Sequence, residues 1–270
     1  MADRIVVTSQ KGGVGKTTVA LNLAPALARR GMRTALVDLD PQGAIALSLA
    51  KGDTEWRGVA DVLVQQLAVR EVLVRTKEPG LTILPRGRLD PTDVREFERG
   101  VAVAGVLDRV LAELDRDFDV VLVDTPSGLG AIPRAALAAC GWALAIEKAE
   151  ALSMRSISQI LRVIEHVKAE ENPELELLGI LPTMVELSKE FSQAAMVTLW
   201  SGFAGVLDAT IPRSDIFGRA SHLGLPLAYV GGKVPPELRR FDALAGEVEG
   251  ILRDRRGRKA EDEQPQREFV

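Results

Sequence analysis

The amino-acid sequence predicts a doubly wound α/β fold, in which a mostly parallel sheet is covered by helices on both faces. Short apolar runs recur along the chain, and they are continuous instead of alternating, which is typical of strands buried on both faces. Segments with apolar residues at three- and four-residue spacing, typical of helices, separate most of these runs. The chain has 270 residues, 46% of them hydrophobic, which is enough for one such domain.

The elements can be assigned in order along the chain. Predicted strands cover residues 5–8, 34–37, 81–84, 120–123, 143–146, 177–181 and 206–211. The main predicted helices cover residues 19–30, 94–116, 153–171 and 238–252. No linker divides these elements, so residues 1–252 are predicted to form a single domain. Residues 253–270 are polar and strongly charged, and we expect a disordered tail there.

Composition excludes several classes of protein. The single cysteine, Cys140, rules out a disulfide framework or a cysteine-ligated iron–sulfur cluster and is expected in the core. His166 and His222 lack acidic or cysteine neighbours at metal-ligand spacing, so a zinc site is not expected. The net charge of −4 argues against a protein that coats nucleic acid with its whole surface, although a local basic patch is compatible with it. Without a signal peptide or a membrane-spanning apolar run, we expect a cytoplasmic protein.

A glycine-rich segment, Lys-Gly-Gly-Val-Gly-Lys-Thr-Thr, lies between the first predicted strand and a helix. Glycines let the backbone turn so that successive N–H groups point at phosphate oxygens, and the following helix adds its positive N-terminal end. In such a phosphate loop, Lys16 is expected to reach the β- and γ-phosphates and Thr17 to hold Mg²⁺. The predicted nucleotide cradle consists of Lys11, Gly12, Gly13, Val14, Gly15, Lys16, Thr17 and Thr18.

The phosphate loop departs from the usual pattern in one respect. The usual motif has a glycine five residues before Gly15, but this chain has Gln10 there, followed by Lys11. With this additional lysine the sequence resembles the ParA/MinD group of ATPases, and most closely its ParA (Soj) partitioning branch. The resemblance runs from about Arg4 to about Leu252. It also rests on Asp38-Leu39-Asp40-Pro41-Gln42-Gly43, Val123-Asp124-Thr125-Pro126 and Ile211-Pro212-Arg213.

The carboxylates of these motifs have distinct expected roles. Asp124 ends a predicted strand, where it can orient Mg²⁺ directly or through water, or alternatively cap a helix. The resemblance implies that Asp40 lies in the first switch and positions or activates the attacking water, with Asp38 structural or near the Mg²⁺. It also implies a second switch at residues 125–128, where Ser127 follows Pro126 although many relatives have two prolines.

Lys11 is the distinctive residue of the resemblance. The resemblance implies a homodimer with two ATP molecules sandwiched between the subunits, in which each Lys11 reaches the nucleotide of the other subunit. A cation delivered in this way accelerates phosphoryl transfer by about 10³ to 10⁵ in systems that use an arginine finger. The alternative is that Lys11 contacts phosphate only within its own chain. Relatives recognise adenine with loops that correspond to Thr183-Met184 and Pro212-Arg213, and we include Pro212 among the nucleotide-binding residues.

Family members that partition plasmids or chromosomes bind DNA without sequence preference in their ATP-bound form. Such binding needs several cations on one face of the protein. The candidates are Lys189, Arg213, Arg219, Lys233, Arg239 and Arg240, followed by Arg253, Arg255, Arg256, Arg258 and Lys259. The chain after Leu252 has no bulky apolar residue before Phe269, which argues against the membrane-binding MinD role. We also expect no N-terminal helix-turn-helix domain.

Two classes of function share these motifs. The first is DNA segregation by a nucleoid-associated ATPase whose hydrolysis is stimulated by a ParB-like centromere-binding protein. The second is the positioning of a protein cargo, such as a carboxysome or a chemoreceptor cluster, through a cargo adaptor. A third class, a metabolic enzyme of the same fold such as a biotin-synthesis ligase, requires a substrate pocket that the sequence does not indicate.

Overall fold

The computed structural model describes residues 1–49, 56–150 and 153–262. Within this part of the chain, one seven-stranded sheet has the strand order β3-β4-β2-β5-β1-β6-β7. Its strands are β1 (Asp3–Thr8), β2 (Thr34–Asp38), β3 (Val74–Arg75), β4 (Leu81–Leu84), β5 (Val120–Asp124), β6 (Trp142–Lys148) and β7 (Glu176–Thr183). All neighbouring strands are parallel except the short edge strand β3, which is antiparallel to β4.

Helices cover both faces of this sheet. They are α1 (Lys16–Arg29), α2 (Ala44–Leu49), α3 (Val59–Gln65), α4 (Val94–Ala102), α5 (Val106–Ala112), α6 (Ala131–Ala139), α7 (Ser153–Glu170), α8 (Glu190–Gly202), α9 (Asp215–Leu223) and α10 (Pro236–Asp262). One face packs against α1, α9 and α10, and the other against α4, α5, α6 and α7. The predicted doubly wound α/β fold is therefore confirmed.

The central strands show why the sequence reads as continuous apolar runs. In β1, Ile5 and Val7 belong to the core on the α1 side of the sheet, whereas Val6 belongs to the core on the other side. All three side chains are completely buried. Both faces of the strand thus need apolar residues, as expected for a sheet between two helical layers.

Two predicted elements have different boundaries in the structure. The predicted helix over residues 94–116 is two helices, α4 and α5, because Gly105 takes a left-handed conformation with φ of 73°. The predicted strand over residues 206–211 is not a strand: it makes one isolated bridge, at Val206, and a second lies just beyond it at Pro212. The backbone N–H groups of Asp208 and Ala209 instead donate to the Glu247 carboxylate, at 2.9 and 3.0 Å.

The C-terminal helix extends further than the sequence suggested. We expected disorder from residue 253 onwards, but α10 continues to Asp262, so this expectation is wrong for residues 253–262. The Arg255 guanidinium lies over the Trp142 ring, 4.6 Å from its centroid, and its Nε is 3.1 Å from Glu176. These contacts give the extension a tertiary partner that helical periodicity does not reveal. Residues 263–270 of the predicted tail lie outside the described residues.

None of the helices described is both long and apolar enough to cross a bilayer.

Candidate functional site

The sheet order brings three motif-bearing loops to one edge. Strands β2, β5 and β1 are adjacent, and Asp124 at the end of β5 pairs in register with Asp38 of β2 and Val7 of β1. The phosphate loop follows β1, residues 39–43 follow β2, and residues 125–128 follow β5. Ligands of open parallel sheets bind beyond the carboxyl ends of the strands, where the strand order reverses. We refer to residues 39–43 as the Asp40 loop.

The phosphate loop has the backbone conformation that its glycines permit. Gly13 and Gly15 have φ angles of 69° and 95°, and a Cβ added at either position would meet no atom within 4 Å. Helix α1 begins immediately afterwards at Lys16. Two side-chain hydrogen bonds hold the loop backbone in place. The Thr183 hydroxyl donates to the Val14 carbonyl at 2.7 Å, and the Ser9 hydroxyl donates to the Lys11 carbonyl at 2.8 Å. The result is an open cradle on a helix N-terminus, which suits an anion such as phosphate.

Lys16 and Thr17 point from the start of α1 towards the end of β5 and the loop that follows it. The Lys16 ammonium donates to the Ser127 hydroxyl at 2.6 Å, and the Lys16 residue is only 6% exposed. Burial lowers the pKa of Lys16, while the charges of Asp124 and Asp40 act in the opposite direction. The Thr17 hydroxyl donates to Oδ2 of Asp124 at 2.7 Å. The Ser127 contact was not predicted, because the sequence places Lys16 and Ser127 far apart and only the fold joins them.

Asp124 has the properties of a ligand or orienting group for a cation. It is completely buried, and within the described part of the chain its Oδ1 has no hydrogen-bond partner. Burial raises the pKa of Asp124 to about 7, although the Thr17 hydroxyl and the Lys16 charge oppose this. An unpaired, buried carboxylate oxygen beside a threonine hydroxyl fits Mg²⁺, which prefers oxygen ligands and retains waters. Mg²⁺ held by Thr17 and Asp124 would neutralise phosphate charge.

The two aspartates after β2 occupy different environments. Asp38 is completely buried, and its two oxygens accept the backbone N–H groups of Asp40 at 3.0 Å and Ile45 at 3.3 Å. Burial raises the pKa of Asp38 well above its ordinary value. Asp40 is only partly buried and accepts the Gln42 N–H at 2.9 Å. This arrangement agrees with Asp38 as the support of the loop and Asp40 as the carboxylate presented by it.

Lys11 lies at the start of the cradle. Its ammonium is 3.5 Å from Oε1 of Glu150, and 34% of its side chain is exposed. Glu150 also pairs with Lys148 at 2.7 Å, and these two partners lower the pKa of Glu150. No sequence pattern singled out Glu150, which follows β6 and meets Lys11 only because β1 and β6 are adjacent in the sheet.

A small cavity of about 70 Å³ opens beside the phosphate loop. Thr183-Met184 and Pro212-Arg213 were predicted to contact adenine. Thr183, Met184 and Pro212 line this cavity together with Gly15 and Thr18, whereas Arg213 does not line it. Backbone hydrogen bonds from Val185 to Ile211 and from Arg213 to Val185 hold these two segments together. Phe217 of α9 completes the wall and was not predicted. The structure thus brings the two expected base-binding segments to the phosphate cradle.

The predicted DNA-binding residues are all exposed, but they differ in their partners. Lys189 and Arg213 both pair with Glu186, at 2.7 and 3.0 Å, so this carboxylate partly neutralises them. For the other four, no ion pair is found among the residues the structure describes. These are Arg219 of α9, Lys233, and Arg239 and Arg240 of α10.

The cations beyond Leu252 are mostly committed to contacts within the chain. Arg255 is sequestered against Trp142 with 11% of its side chain exposed, Arg253 pairs with Glu249 at 2.6 Å, and Arg256 pairs with Asp3. Arg258 is exposed. The side chain of Lys259 lies outside the described residues. Arg255 therefore cannot contribute to a basic surface while this contact persists.

Comparison with known proteins agrees with this geometry. A family model described as an AAA domain matches residues 2–177. The chromosome partitioning protein ParA of Caulobacter vibrioides is 31% identical over 262 residues, covering 95% of this chain and 97% of that protein. The chromosome-partitioning ATPase Soj of Thermus thermophilus is 36% identical over 247 residues, covering 91% and 94% of the two chains.

A solved structure has the same overall fold. Cobyrinic acid a,c-diamide synthase from Mycobacterium smegmatis, with a bound ATP analogue and magnesium, superposes with a TM-score of 0.76. The two sequences are 32% identical, and the match covers 94% of this chain and 95% of that one.

Fold and site together define a P-loop nucleotide-binding protein whose phosphate loop carries a second lysine. The chain belongs to the AAA domain family of the matching model and is a ParA/MinD-type ATPase. The predicted resemblance is confirmed, and with it ATP and Mg²⁺ as the ligands of the site.

Proposed function

We propose that this protein is a ParA-like partitioning ATPase that dimerises on ATP, binds DNA nonspecifically and hydrolyses ATP when a ParB-like partner stimulates it. The observation that carries the proposal is the position of Lys11. It is a second cation at the mouth of the cradle, partly exposed and held by Glu150. Such a cation is available to a nucleotide bound by another subunit. The similarity to partitioning proteins over nearly the whole chain supports the same function.

In this proposal each residue of the site has a distinct role in ATP binding or hydrolysis. Lys16 and the backbone N–H groups of the phosphate loop bind the phosphates, while Thr17 and Asp124 hold Mg²⁺. Asp40 orients the attacking water, and Lys11 of the other subunit stabilises the charge that develops on the transferring oxygens. Because Lys11 completes the site only in the dimer, hydrolysis is linked to dimerisation, and release of the dimer follows hydrolysis.

DNA binding in this proposal rests on the exposed cations of the C-terminal third. Arg219, Lys233, Arg239 and Arg240 are exposed, and the dimer doubles their number. A protein with net charge −4 cannot attract DNA over its whole surface, so the contact must be local. We propose that these cations hold the ATP-bound dimer on the nucleoid, in the cytoplasm.

The position of one large apolar cavity argues against its use as the substrate site of a metabolic ligase. A cavity of about 500 Å³ is lined by apolar residues such as Leu21, Trp56 and Tyr229. Its lining residues include no member of the phosphate loop, the Asp40 loop or residues 124–128. A second substrate bound there would not meet the γ-phosphate.

The test is ATP turnover by the purified full-length chain with Mg²⁺, measured alone, with nonspecific DNA, and with DNA plus the product of a neighbouring ParB-like gene. We expect slow basal turnover, ATP-dependent DNA binding, and stimulation by DNA and partner together. Turnover without any ATP-dependent DNA binding would reject segregation, and DNA-bound turnover that only a cargo adaptor stimulates would favour the positioning of a protein cargo by the same cycle. Absence of ATP turnover under every condition would reject the proposal.

A further inference from the structure

The Asp40 loop is a tight turn that depends on external support. The Gly43 N–H donates to the Asp40 carbonyl at 2.8 Å, and the Gln42 N–H donates to the Asp40 carboxylate at 2.9 Å. Gly43 has a φ of 63°, in the left-handed region. On the side of the loop that faces the sheet, the Asp38 carboxylate accepts the Asp40 N–H at 3.0 Å.

Arg86 holds the outer side of the loop. Its Nη1 donates to the Pro41 carbonyl, next to Asp40, and its Nε donates to the Gly87 carbonyl at 3.1 Å. The guanidinium covers Gly43, since a Cβ added there would lie 3.1 Å from its Cζ. Within residues 1–49, 56–150 and 153–262, no carboxylate forms an ion pair with Arg86. Its charge is therefore directed at backbone carbonyls, and hydrogen bonds from a charged donor are about twice as strong as neutral ones.

The backbone of Arg86 is itself fixed to the start of α3. The N–H groups of Val59 and Ala60 donate to the carbonyls of Pro85 and Arg86, at 2.9 and 2.8 Å. The buried Asp61 carboxylate accepts the N–H of Gly58 at 2.8 Å. The fit is close, because a Cβ added to Gly58 would lie 1.9 Å from the Pro85 carbonyl oxygen. Arg86 thus projects from a backbone that has little freedom to move.

We propose that Arg86 is a positioning residue for ATP hydrolysis, which fixes the Asp40 loop against residues 85–87 so that Asp40 is presented to the attacking water. This inference rests on the proposed role of Asp40. Catalytic groups must be held in near-attack geometry, and small displacements reduce the rate strongly. Arg86 should therefore affect the chemical step and leave nucleotide binding, which depends on the phosphate loop, nearly unchanged.

The test compares Arg86→Ala and Arg86→Lys with the parent, and uses Arg95→Ala, an exposed arginine of α4, as the control. We expect Arg86→Ala to lower kcat about tenfold, the effect of losing one charged hydrogen bond, with the KM for ATP changed less than about twofold. Arg86→Lys should recover part of kcat, because its ammonium can still reach the Pro41 carbonyl. Arg95→Ala should match the parent.

One further measurement separates this inference from the proposed function. Hydrogen exchange of the Asp40 loop amides should be at least about tenfold faster in Arg86→Ala than in the parent, whether or not the protein hydrolyses ATP.

The outcomes are distinct. A parent without ATP turnover would reject the proposed function, and the exchange measurement would still test the contact. A turning-over parent with unchanged kcat and unchanged exchange in Arg86→Ala would overturn the inference. A fall in kcat matched by an equal loss of ATP affinity, or one that Arg86→Lys does not relieve at all, would also overturn it and assign Arg86 a general structural role.

Discussion

Replacing Lys11 with alanine should separate nucleotide binding from hydrolysis. In the structure, Lys11 contributes little to the stability of its own chain, because its ion pair with Glu150 is 3.5 Å long and both side chains are about one-third exposed. Pairs of this kind stabilise by about 0–1 kcal/mol. For a chain of this size, we expect the melting temperature to fall by less than about 4 °C.

The effect on turnover should be much larger. If Lys11 acts on the nucleotide of the other subunit, its loss should lower the hydrolysis rate by about 10³ or more and prevent ATP-dependent dimerisation. ATP affinity should remain appreciable, because the phosphate loop and the buried Lys16 are unchanged. Lys16→Ala, in contrast, should abolish nucleotide binding.

The measurements are a nucleotide titration, light scattering with and without ATP, and steady-state turnover. Lys148→Ala is the matched control, since Lys148 pairs with the same Glu150 at 2.7 Å. This variant should retain dimerisation and hydrolysis, which would show that loss of a Glu150 partner is not the cause. Normal dimerisation and hydrolysis by Lys11→Ala would refute the ATP-sandwich dimer. If Lys11→Ala instead lost ATP affinity as completely as Lys16→Ala, Lys11 would be a ligand of the nucleotide bound by its own subunit.

Three other predictions concern the switch, the DNA surface and the core. Asp40→Ala should trap an ATP-bound dimer that stays on DNA, because the group that orients water is removed, and turnover and DNA retention assays will measure this. Glu186→Gln should strengthen DNA binding in fluorescence anisotropy, because it releases Lys189 and Arg213, and should steepen the slope of log affinity against log salt, which is near −0.9 per phosphate contacted. Burial raises the pKa of Cys140 to about 12, so iodoacetamide should not alkylate it at pH 8 until the chain is unfolded.

Each of these three predictions can be contradicted by a specific result. Parent-level turnover in Asp40→Ala would move the water-orienting role to another group. For the DNA surface, Arg239→Glu combined with Arg240→Glu is the opposing variant, and unchanged affinity in this variant and in Glu186→Gln would place the contact elsewhere on the protein. Rapid alkylation of native Cys140 would mean that the core around it opens without global unfolding.

Much of the site was predictable because its residues are contiguous in sequence. The phosphate loop needs glycines at positions of positive φ and a lysine at the helix start, and both requirements are visible in the residues from Lys11 to Thr18. Strand ends are also visible, as in the apolar run that stops at Asp124. Because parallel strands deliver their carboxyl ends to one edge, the convergence of these loops followed from the predicted sheet alone.

Contacts between segments distant in sequence could not be predicted in this way. The bond from Lys16 to Ser127 depends on β1 lying beside β5, and the pairing of Lys11 with Glu150 depends on β1 lying beside β6. Arg86 reads in the sequence as an ordinary loop arginine, and its contact with Pro41 exists only because β4 lies beside β2.

The sequence by itself determined the fold class, the phosphate loop and the strand-end carboxylates, because periodicity, glycine conformation and spacing are local properties of the chain. The tertiary structure decided how far those local tendencies extend. Residues 206–211 do not complete a strand beside β7, because the N–H groups of Asp208 and Ala209 donate to the Glu247 carboxylate. The polar residues after Leu252 remain helical while Arg255 stacks on Trp142, because a packed cation supplies stabilisation that no local pattern encodes.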